Sequence, residues 1–147
     1  MDKLSQKLAI VSTIDPDAYG TGTQDGDWVN LGIFRKVMFA FMAGTLGSSA
    51  TADCSVRQAT DGSGSNAKAI TGKSATQLTQ AGTDDDKQVV IEVNASELDV
   101  AGRFTHVAPR MVILVAASDA GCAGLAGVPR YHPAADNDLA SVDEILN

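Results

Sequence analysis

The stretch IFRKVMFAFMA at residues 33–43 decides the fold class. Its side chains alternate as in a β-strand, because successive residues of a strand point to opposite faces. Val37 and Phe39 fall on one face, and Met38 and Met42 fall on the other. Both faces are largely apolar, so we expect a central strand that is buried on both sides. Its outer face would then be covered by another sheet or by a neighbouring subunit.

Other short runs predict further strands. In VVIEVNA (89–95), Val89, Ile91 and Val93 fall on one face and Val90, Glu92 and Asn94 on the other, which is typical of a strand with one side in a core. MVILVAA (111–117) is short, rich in β-branched residues and preceded by Pro109, and these features favour a strand over a helix. The remaining predicted strands span residues 7–13, 52–59, 68–71 and 122–128. The Gly- and Asp-rich turns that separate the strands are predicted at 25–27, 44–49, 61–66, 82–86, 101–102 and 118–121.

Seven or eight short strands between such turns predict an all-β fold, an antiparallel β-sandwich or jelly roll. The helical signals are short, at residues 74–80, at 94–99 and at a capping-box pattern over 141–144. We therefore expect one or two short helical turns and no helix-rich α/β fold. The length of 147 residues suits one domain. We expect the β-sandwich domain over residues 1–130 and a polar, acidic C-terminal arm over 131–147.

The composition predicts a folded protein with an acidic surface. Hydrophobic residues make up 44% of the chain, charged residues make up 20%, and the formal net charge is -7. Such a charge disfavours sequence-independent binding to nucleic acid, which rests on clustered Lys and Arg. No apolar run approaches the ~18 residues that span a membrane, and the first residues lack the features of a signal peptide. We expect synthesis in a cytoplasm, with neither a membrane nor a specific nucleic acid as partner.

One stretch, AKAITGKS (67–74), comes within one residue of the phosphate-binding pattern G-x-x-x-x-G-K-[ST]. Ala67 stands where the pattern has its first glycine. A phosphate-binding loop also follows a buried parallel strand and opens a helix. Here the preceding residues are polar and the following residues are too few for a long helix. We expect a turn at Gly72 with an exposed Lys73, and no bound nucleotide or other cofactor.

The other chemistry-bearing side chains predict no reactive centre. The consecutive aspartates at 84–86 lack the spacing of a calcium loop, so a solvated hairpin tip is favoured over a cation site. His106 and His132 belong to no metal-binding motif. Cys54 and Cys122 lie far apart in the chain, and two buried free thiols are favoured. We expect no catalytic residue and no metal, and a binding or structural module in place of an enzyme.

The apolar surface then carries the functional prediction. Patches too large for a monomer usually mark partner interfaces, and we expect Met111 to join such a patch. The candidate interface residues are Trp28, Phe34, Met38, Met42, Arg130 and Tyr131.

About two thirds of the chain resembles a group of small virion proteins of tailed bacteriophages. The similar stretches are SVRQATDGSGSNAKAITGKSATQLTQAG (55–82), VVIEVNASELDVAGRFTHV (89–107) and AASDAGCAGLAGVPRYHPAADNDLASVDEIL (116–146). The shared features are an ATD…G…AK segment, an ELDV segment followed by Phe104 and His106, and PRY after the last strand. The strand GCAGLAGV is richer in Gly and Ala than expected for the group, which predicts an edge strand or close packing on a neighbour.

The resemblance implies a non-enzymatic virion protein, most of all a capsid decoration (cement) protein. It would bind the major capsid protein on the exterior of the capsid and associate with itself as a homotrimer or homodimer. Two alternatives stay open. One is a tail-tube or head–tail joining protein, and the other is a jelly-roll module that binds carbohydrate or a host surface.

Overall fold

The computed structural model describes residues 3–146 and consists mainly of antiparallel β-strands. A short helix α1 begins the described chain, and two 3₁₀ turns occur later. The elements are α1 (Leu4–Lys7), β1 (Leu8–Tyr19), β2 (Gly22–Asp25), β3 (Val29–Asn30), β4 (Phe34–Ala43), β5 (Thr51–Ala59), β6 (Lys68–Ser74), β7 (Leu78–Thr79), β8 (Gln88–Asn94), a 3₁₀ turn (Ala95–Glu97), β9 (His106–Leu114), β10 (Ser118–Pro129) and a 3₁₀ turn (Ala134–Asn137).

The strands form two sheets whose order is that of a jelly roll. One sheet has the order β1-β10-β4-β8, and the other has the order β2-β9-β5-β6. The short strands β3 and β7 continue β2 and β6, because they pair with the same neighbours, β9 and β5. Counted this way, the first strand pairs with the last, the second with the seventh, the third with the sixth and the fourth with the fifth. This is a long hairpin rolled into a jelly roll, and it confirms the predicted all-β sandwich.

Alternating side chains from both sheets fill the core. Phe39 and Phe41 of β4 meet Met111 and Ile113 of β9, and all four are fully buried. The central position predicted for β4 is confirmed, since the strand lies between β10 and β8. The predicted burial on both sides is wrong for the single chain, because the even-numbered face of β4 is exposed at Met38 and Met42.

Close backbone packing explains the Gly- and Ala-rich composition of β10. The strand lies in the interior of its sheet between β1 and β4, so it is not an edge strand. A Cβ atom at Gly124 would stand only 2.8 Å from Cε1 of Phe39. Glycine at this position therefore leaves room for a buried aromatic ring, and the alternative prediction of close packing holds within the chain.

A proline accounts for the break between β2 and β3. Pro109 lies within β9, not before it as the sequence predicted, and the break at residues 26–28 falls opposite it. The backbone N–H of Gly26 donates a hydrogen bond to the Pro109 carbonyl at 3.0 Å. A Cβ atom at Gly26 would meet Cγ of Pro109 at 2.6 Å, so a glycine is needed for this close approach.

Of the three predicted helical stretches, one is confirmed and two are wrong. The turn at Ala95–Glu97 lies within the predicted stretch 94–99 and confirms it. Residues 74–80 form no helix, because the end of β6 and the short strand β7 occupy them. The capping-box residues 141–144 begin no helix either. The turn predicted at 118–121 lies earlier, at Val115 (φ 76°), and β10 has already begun at residue 118.

The segment after β10 packs along the outer edge of β1. Ala134 is fully buried. The backbone N–H of Ile10 donates to Asp138 Oδ1 at 2.6 Å, and the backbone N–H of Leu139 donates to the Ile10 carbonyl at 2.8 Å. These bonds satisfy backbone groups that an edge strand leaves open. Within residues 3–146, no helix has the length and apolar character that crossing a bilayer requires.

Candidate functional site

The predicted interface residues separate into four places. Met38 and Met42 point outward from β4, with 38% and 56% of their surface exposed. Phe34 is only 3% exposed and belongs to the core, so its predicted place in a surface patch is wrong. Met111 is buried in the same core, which also contradicts the prediction. Trp28 is half-buried before β3, away from the strand that carries the exposed methionines.

The outward side of the sheet β1-β10-β4-β8 is a continuous apolar surface, which we call the apolar face. The strand register arranges β10, β4 and β8 in four rows across it. Leu8, Ile10 and Thr13 of β1 extend the rows. Only Lys36 and Glu92 are charged among these outward positions. The four rows are Gly121–Met42–Gln88, Ala123–Ala40–Val90, Leu125–Met38–Glu92 and Gly127–Lys36–Asn94.

The outward side of the other sheet is polar. Asp25 of β2 accepts two hydrogen bonds from the guanidinium of Arg110 on β9, at 2.6 and 2.8 Å. This pair holds the pKa of Arg110 above its ordinary value. Asp53 of β5 accepts hydrogen bonds at 3.0 Å from the side-chain amide of Gln77. An antiparallel sheet commonly presents such a solvated face, and the apolar face departs from that pattern.

A depression of about 730 Å³ continues the apolar face at the end where β10 begins. Ile14 and Pro16 of β1, Met42 of β4, and Cys122 and Ala123 of β10 are among its lining residues. The β1 strand bulges here, since its register with β10 shifts between Ile14 and Asp17. Asp17, Asp86 and Asp119 also line the depression, so this end of the face carries carboxylates beside its apolar side chains.

The predicted residues Arg130 and Tyr131 lie at the opposite end of the sheet. Arg130 lines a depression of about 850 Å³ together with Arg35 and Lys36. Within the part of the chain that the structure describes, no carboxylate pairs with these three cations. Tyr131 is 74% exposed immediately beyond. This end therefore presents positive charge and an exposed ring on a chain that is acidic overall.

The near phosphate-binding stretch forms part of strand β6. Gly72 adopts φ 79° at an irregularity in the strand pairing, so it provides a bulge and not the predicted turn. Lys73 donates to the Glu92 carbonyl of β8 at 2.7 Å and forms an ion pair with Glu97 at 2.8 Å. Its side chain is only 19% exposed, so the predicted exposed lysine is wrong. Lys73 links the two sheets at their open edge.

Two neighbouring groups hold the carboxylate of Glu97 in place beside Lys73. The backbone N–H of Asn94 donates to Glu97 Oε2 at 2.7 Å, and Lys73 approaches Oε1. The Asn94 hydrogen bond and then the Lys73 interaction hold the pKa of Glu97 below its ordinary value. The carboxylate thus stays ionised at neutral pH and fixes the lysine.

The consecutive aspartates organise loops. Asp84 accepts a hydrogen bond from the backbone N–H of Thr79 at 2.9 Å and pairs with Lys87 at 2.6 Å. Lys87 first, and then the Thr79 bond, lower the pKa of Asp84. Asp85 accepts from the backbone N–H of Leu46 at 2.7 Å. Across residues 3–146, no three His, Cys, Asp or Glu side chains are placed to hold a metal ion.

The cysteines are buried and unpaired with each other, as expected from the sequence. Burial raises the pKa of both Cys54 and Cys122 to about 12. A thiol that stays protonated is a poor nucleophile. A hydrogen bond of 2.8 Å joins the hydroxyl of Thr105 to Nδ1 of His106. Burial lowers the pKa of His106. These groups do not form a nucleophile–base arrangement.

The sequence missed the part of the apolar face contributed by β1 and β10. Ala123, Leu125 and Gly127 point outward, while Gly124 and Ala126 point inward. The residues of both sets are mostly small. The sequence of β10 therefore shows no difference in hydrophobicity between its outward and inward positions. The signal becomes visible only when β10 is placed beside the exposed methionines of β4.

The fold and this face define an antiparallel jelly-roll protein with an uncovered apolar sheet. No family model matches the chain, and no curated protein matches it. Solved structures with similarity include the SPBc2 prophage-derived protein YomS, with a TM-score of 0.40 and 13% identity over 76% of this chain and 92% of that chain. The infectious bursal disease virus Gx strain structure has a TM-score of 0.48 and 12% identity over 88% of this chain.

The chain spans only 34% of that infectious bursal disease virus chain, and also 34% of the one from the Gt strain. At these TM-scores and identities the similarity says nothing about function. The jelly-roll assignment rests on the strand pairing of the chain itself.

Proposed function

We propose that this chain is a non-enzymatic structural protein of a phage virion. In this role it decorates and stabilises the capsid exterior through contacts with major capsid subunits and with itself. The apolar face is the observation that carries the proposal. Charged residues make up 20% of the chain, yet Lys36 and Glu92 are the two charged residues in the four rows of this face.

Jelly rolls also occur in lectins and enzymes. The fold alone therefore does not indicate the function, and the proposal rests on the apolar face. A contiguous apolar surface of this kind marks a protein interface. A virion repeats every contact many times, so modest interfaces together stabilise the shell. The resemblance of residues 55–82, 89–107 and 116–146 to small virion proteins supports the same role.

The site chemistry favours assembly over the other function classes. Carbohydrate binding on a jelly roll calls for several exposed aromatic rings, but Trp28 is half-buried and packs against Gly64, which leaves Tyr131 as the one exposed Phe, Tyr or Trp ring among residues 3–146. Burial raises the pKa of both thiols, Lys73 is engaged with Glu92 and Glu97, and Asp84 and Asp85 accept hydrogen bonds from backbone N–H groups. These side chains perform structural tasks, which suits a protein that acts by contact.

Electron cryo-microscopy of the intact virion tests the proposal. We expect density for the jelly roll on the outside of the head, between major capsid subunits. Density in the tail or at the head–tail junction would replace decoration with the joining role. Virions that lack this protein should release their genome at a lower temperature than complete virions, and equal heat resistance would argue against stabilisation.

A further inference from the structure

We infer that a second copy of this chain covers the apolar face. The two copies pack sheet to sheet around a two-fold axis that runs close to the strand direction, between β10 and β4. The inference deepens the proposed function by naming the occupant of the face, and it rests on that function only for its biological setting. Its geometry follows from the register of the four-stranded sheet alone.

The face is complementary to itself in shape. Along β4 the outward residues Met38 and Met42 protrude, while the outward residues of β10 include Gly121, Ala123 and Gly127, with Leu125 the exception. A two-fold axis between the two strands places each β4 residue opposite the partner's β10 residue of the same row. Met42 then meets the partner's Gly121, and Met38 meets the partner's Leu125. Such a contact is isologous, since each copy supplies the same patch.

The charge distribution also favours a second copy. Two chains of formal net charge -7 repel each other, so they approach most easily through their least charged surface. The polar sheet carries Asp25, Asp53 and Arg110 on its outward side. In the four rows of the apolar face only Lys36 and Glu92 are charged, while Asp119, Asp17 and Asp86 line the depression at the other end.

The edges of the sandwich are poorly suited to the alternative, strand addition from another copy. Asp138 and Leu139 already bond the edge of β1. Lys73 occupies the Glu92 carbonyl on the edge of β8. A charged lysine at a strand edge is a usual obstacle to edge-to-edge association, so addition of a strand at either edge of the four-stranded sheet is disfavoured.

The size of the face fits a reversible dimer. Four strands about 4.8 Å apart, with about seven residues of about 3.3 Å each, span roughly 19 Å by 23 Å. The protruding methionines and the depression beside Met42 add to this flat footprint. Over both copies the flat footprint is roughly 870 Å², below the roughly 1,200 Å² of a stable specific interface and within the range of weak, transient contacts, so we expect dissociation on dilution.

Sedimentation velocity of the purified full-length chain tests the arrangement. We expect twice the monomer mass of 15.2 kDa at tens of micromolar and the monomer mass on dilution. Met38→Lys alone and Leu125→Glu alone should each give monomers, because the new charge meets an apolar side chain. An equimolar mixture of the two variants should restore the dimer, because the new lysine then faces the new glutamate of the partner.

Leu114→Asp is the matched control, since Leu114 is a half-exposed apolar residue on the other sheet, and it should leave the dimer intact. Thermal melts of each variant establish that it folds. A wild-type monomer at high concentration, or a dimer that survives both single substitutions, would overturn the inference. A mixture that stays monomeric would overturn the two-fold placement.

Binding of the same proteins to capsid shells separates this inference from the proposed function. If the wild-type chain is monomeric and still binds shells, the dimer is wrong and the virion role stands. If the wild-type chain and the mixture of the two variants both form dimers but never bind shells, the dimer stands and the decoration role is wrong.

Discussion

Lys73→Met removes the ammonium that joins β6 to β8 and keeps most of the apolar stem. The lost hydrogen bond to the Glu92 carbonyl involves a charged donor at 2.7 Å, and such bonds contribute about 1.5–3 kcal/mol. The ion pair with Glu97 is 19% and 36% exposed at its two side chains, so solvent screening limits it to about 0–1 kcal/mol. We expect the free energy of unfolding to fall by about 2 kcal/mol at pH 7.

Urea denaturation followed by circular dichroism measures this change. Lys87→Met is the control, because Lys87 also pairs with an aspartate but its side chain is 54% exposed, and we expect a much smaller effect. The pKa of Glu97 is lowered in the folded chain. Its stabilising contribution is therefore present above the ordinary carboxyl pKa of about 4.3 and is lost as the pH falls through the folded value. The difference between wild type and Lys73→Met should shrink at acidic pH.

An unfolding free energy within about 0.5 kcal/mol of wild type would refute the role of Lys73 as a link between the sheets, since charged hydrogen bonds contribute more than that. Calorimetry with Mg-ATP provides the opposite test. We expect no saturable heat with the wild-type chain. Saturable binding that Lys73→Met abolishes would show that the glycine–lysine–serine triplet holds a phosphate after all.

Two further predictions concern the core. Gly124→Val should lower the free energy of unfolding by about 1–3 kcal/mol, because overpacking a filled core has this effect and the new Cβ atom would meet Phe39 at 2.8 Å; an unchanged urea midpoint would contradict the close packing. Cys54 and Cys122 should resist a disulfide thiol reagent in the native chain at pH 8, since burial raises both pKa values to about 12, and should react once urea unfolds it. Rapid labelling of the native chain would contradict their burial.

The sequence predicts the fold class well, because a period of two is strong wherever one side of a strand is polar. β5 shows this clearly, since Ala52, Cys54 and Val56 are buried and the residues between them are polar, whereas in β8 the alternation begins only at Ile91. β4 was harder to interpret. Met38 and Met42 look like core residues, and only the sheet order shows that no layer of the same chain covers them.

The helical turn predicted within residues 74–80 is absent because the backbone there pairs with another strand. Residues 78–79 pair with Thr51 and Ala52 of β5, so the stretch that looked helical is a strand. The prediction of an exposed Lys73 is wrong for a related reason. Its acceptor, Glu92, is 19 residues away on the other sheet, and nothing within the AKAITGKS stretch reveals that contact.

The pairing of the first strand with the last has a consequence for biosynthesis. Leu8 lies opposite Gly127 and Tyr19 lies opposite Ser118, so β1 has no strand partner until β10 has left the ribosome. Contacts between such distant residues slow folding, because a large loop must close before they form. The nascent chain therefore waits with its apolar strands uncovered, a state in which chains aggregate. A gene truncated before β10 should yield insoluble fragments, even though such fragments would retain most of the strands.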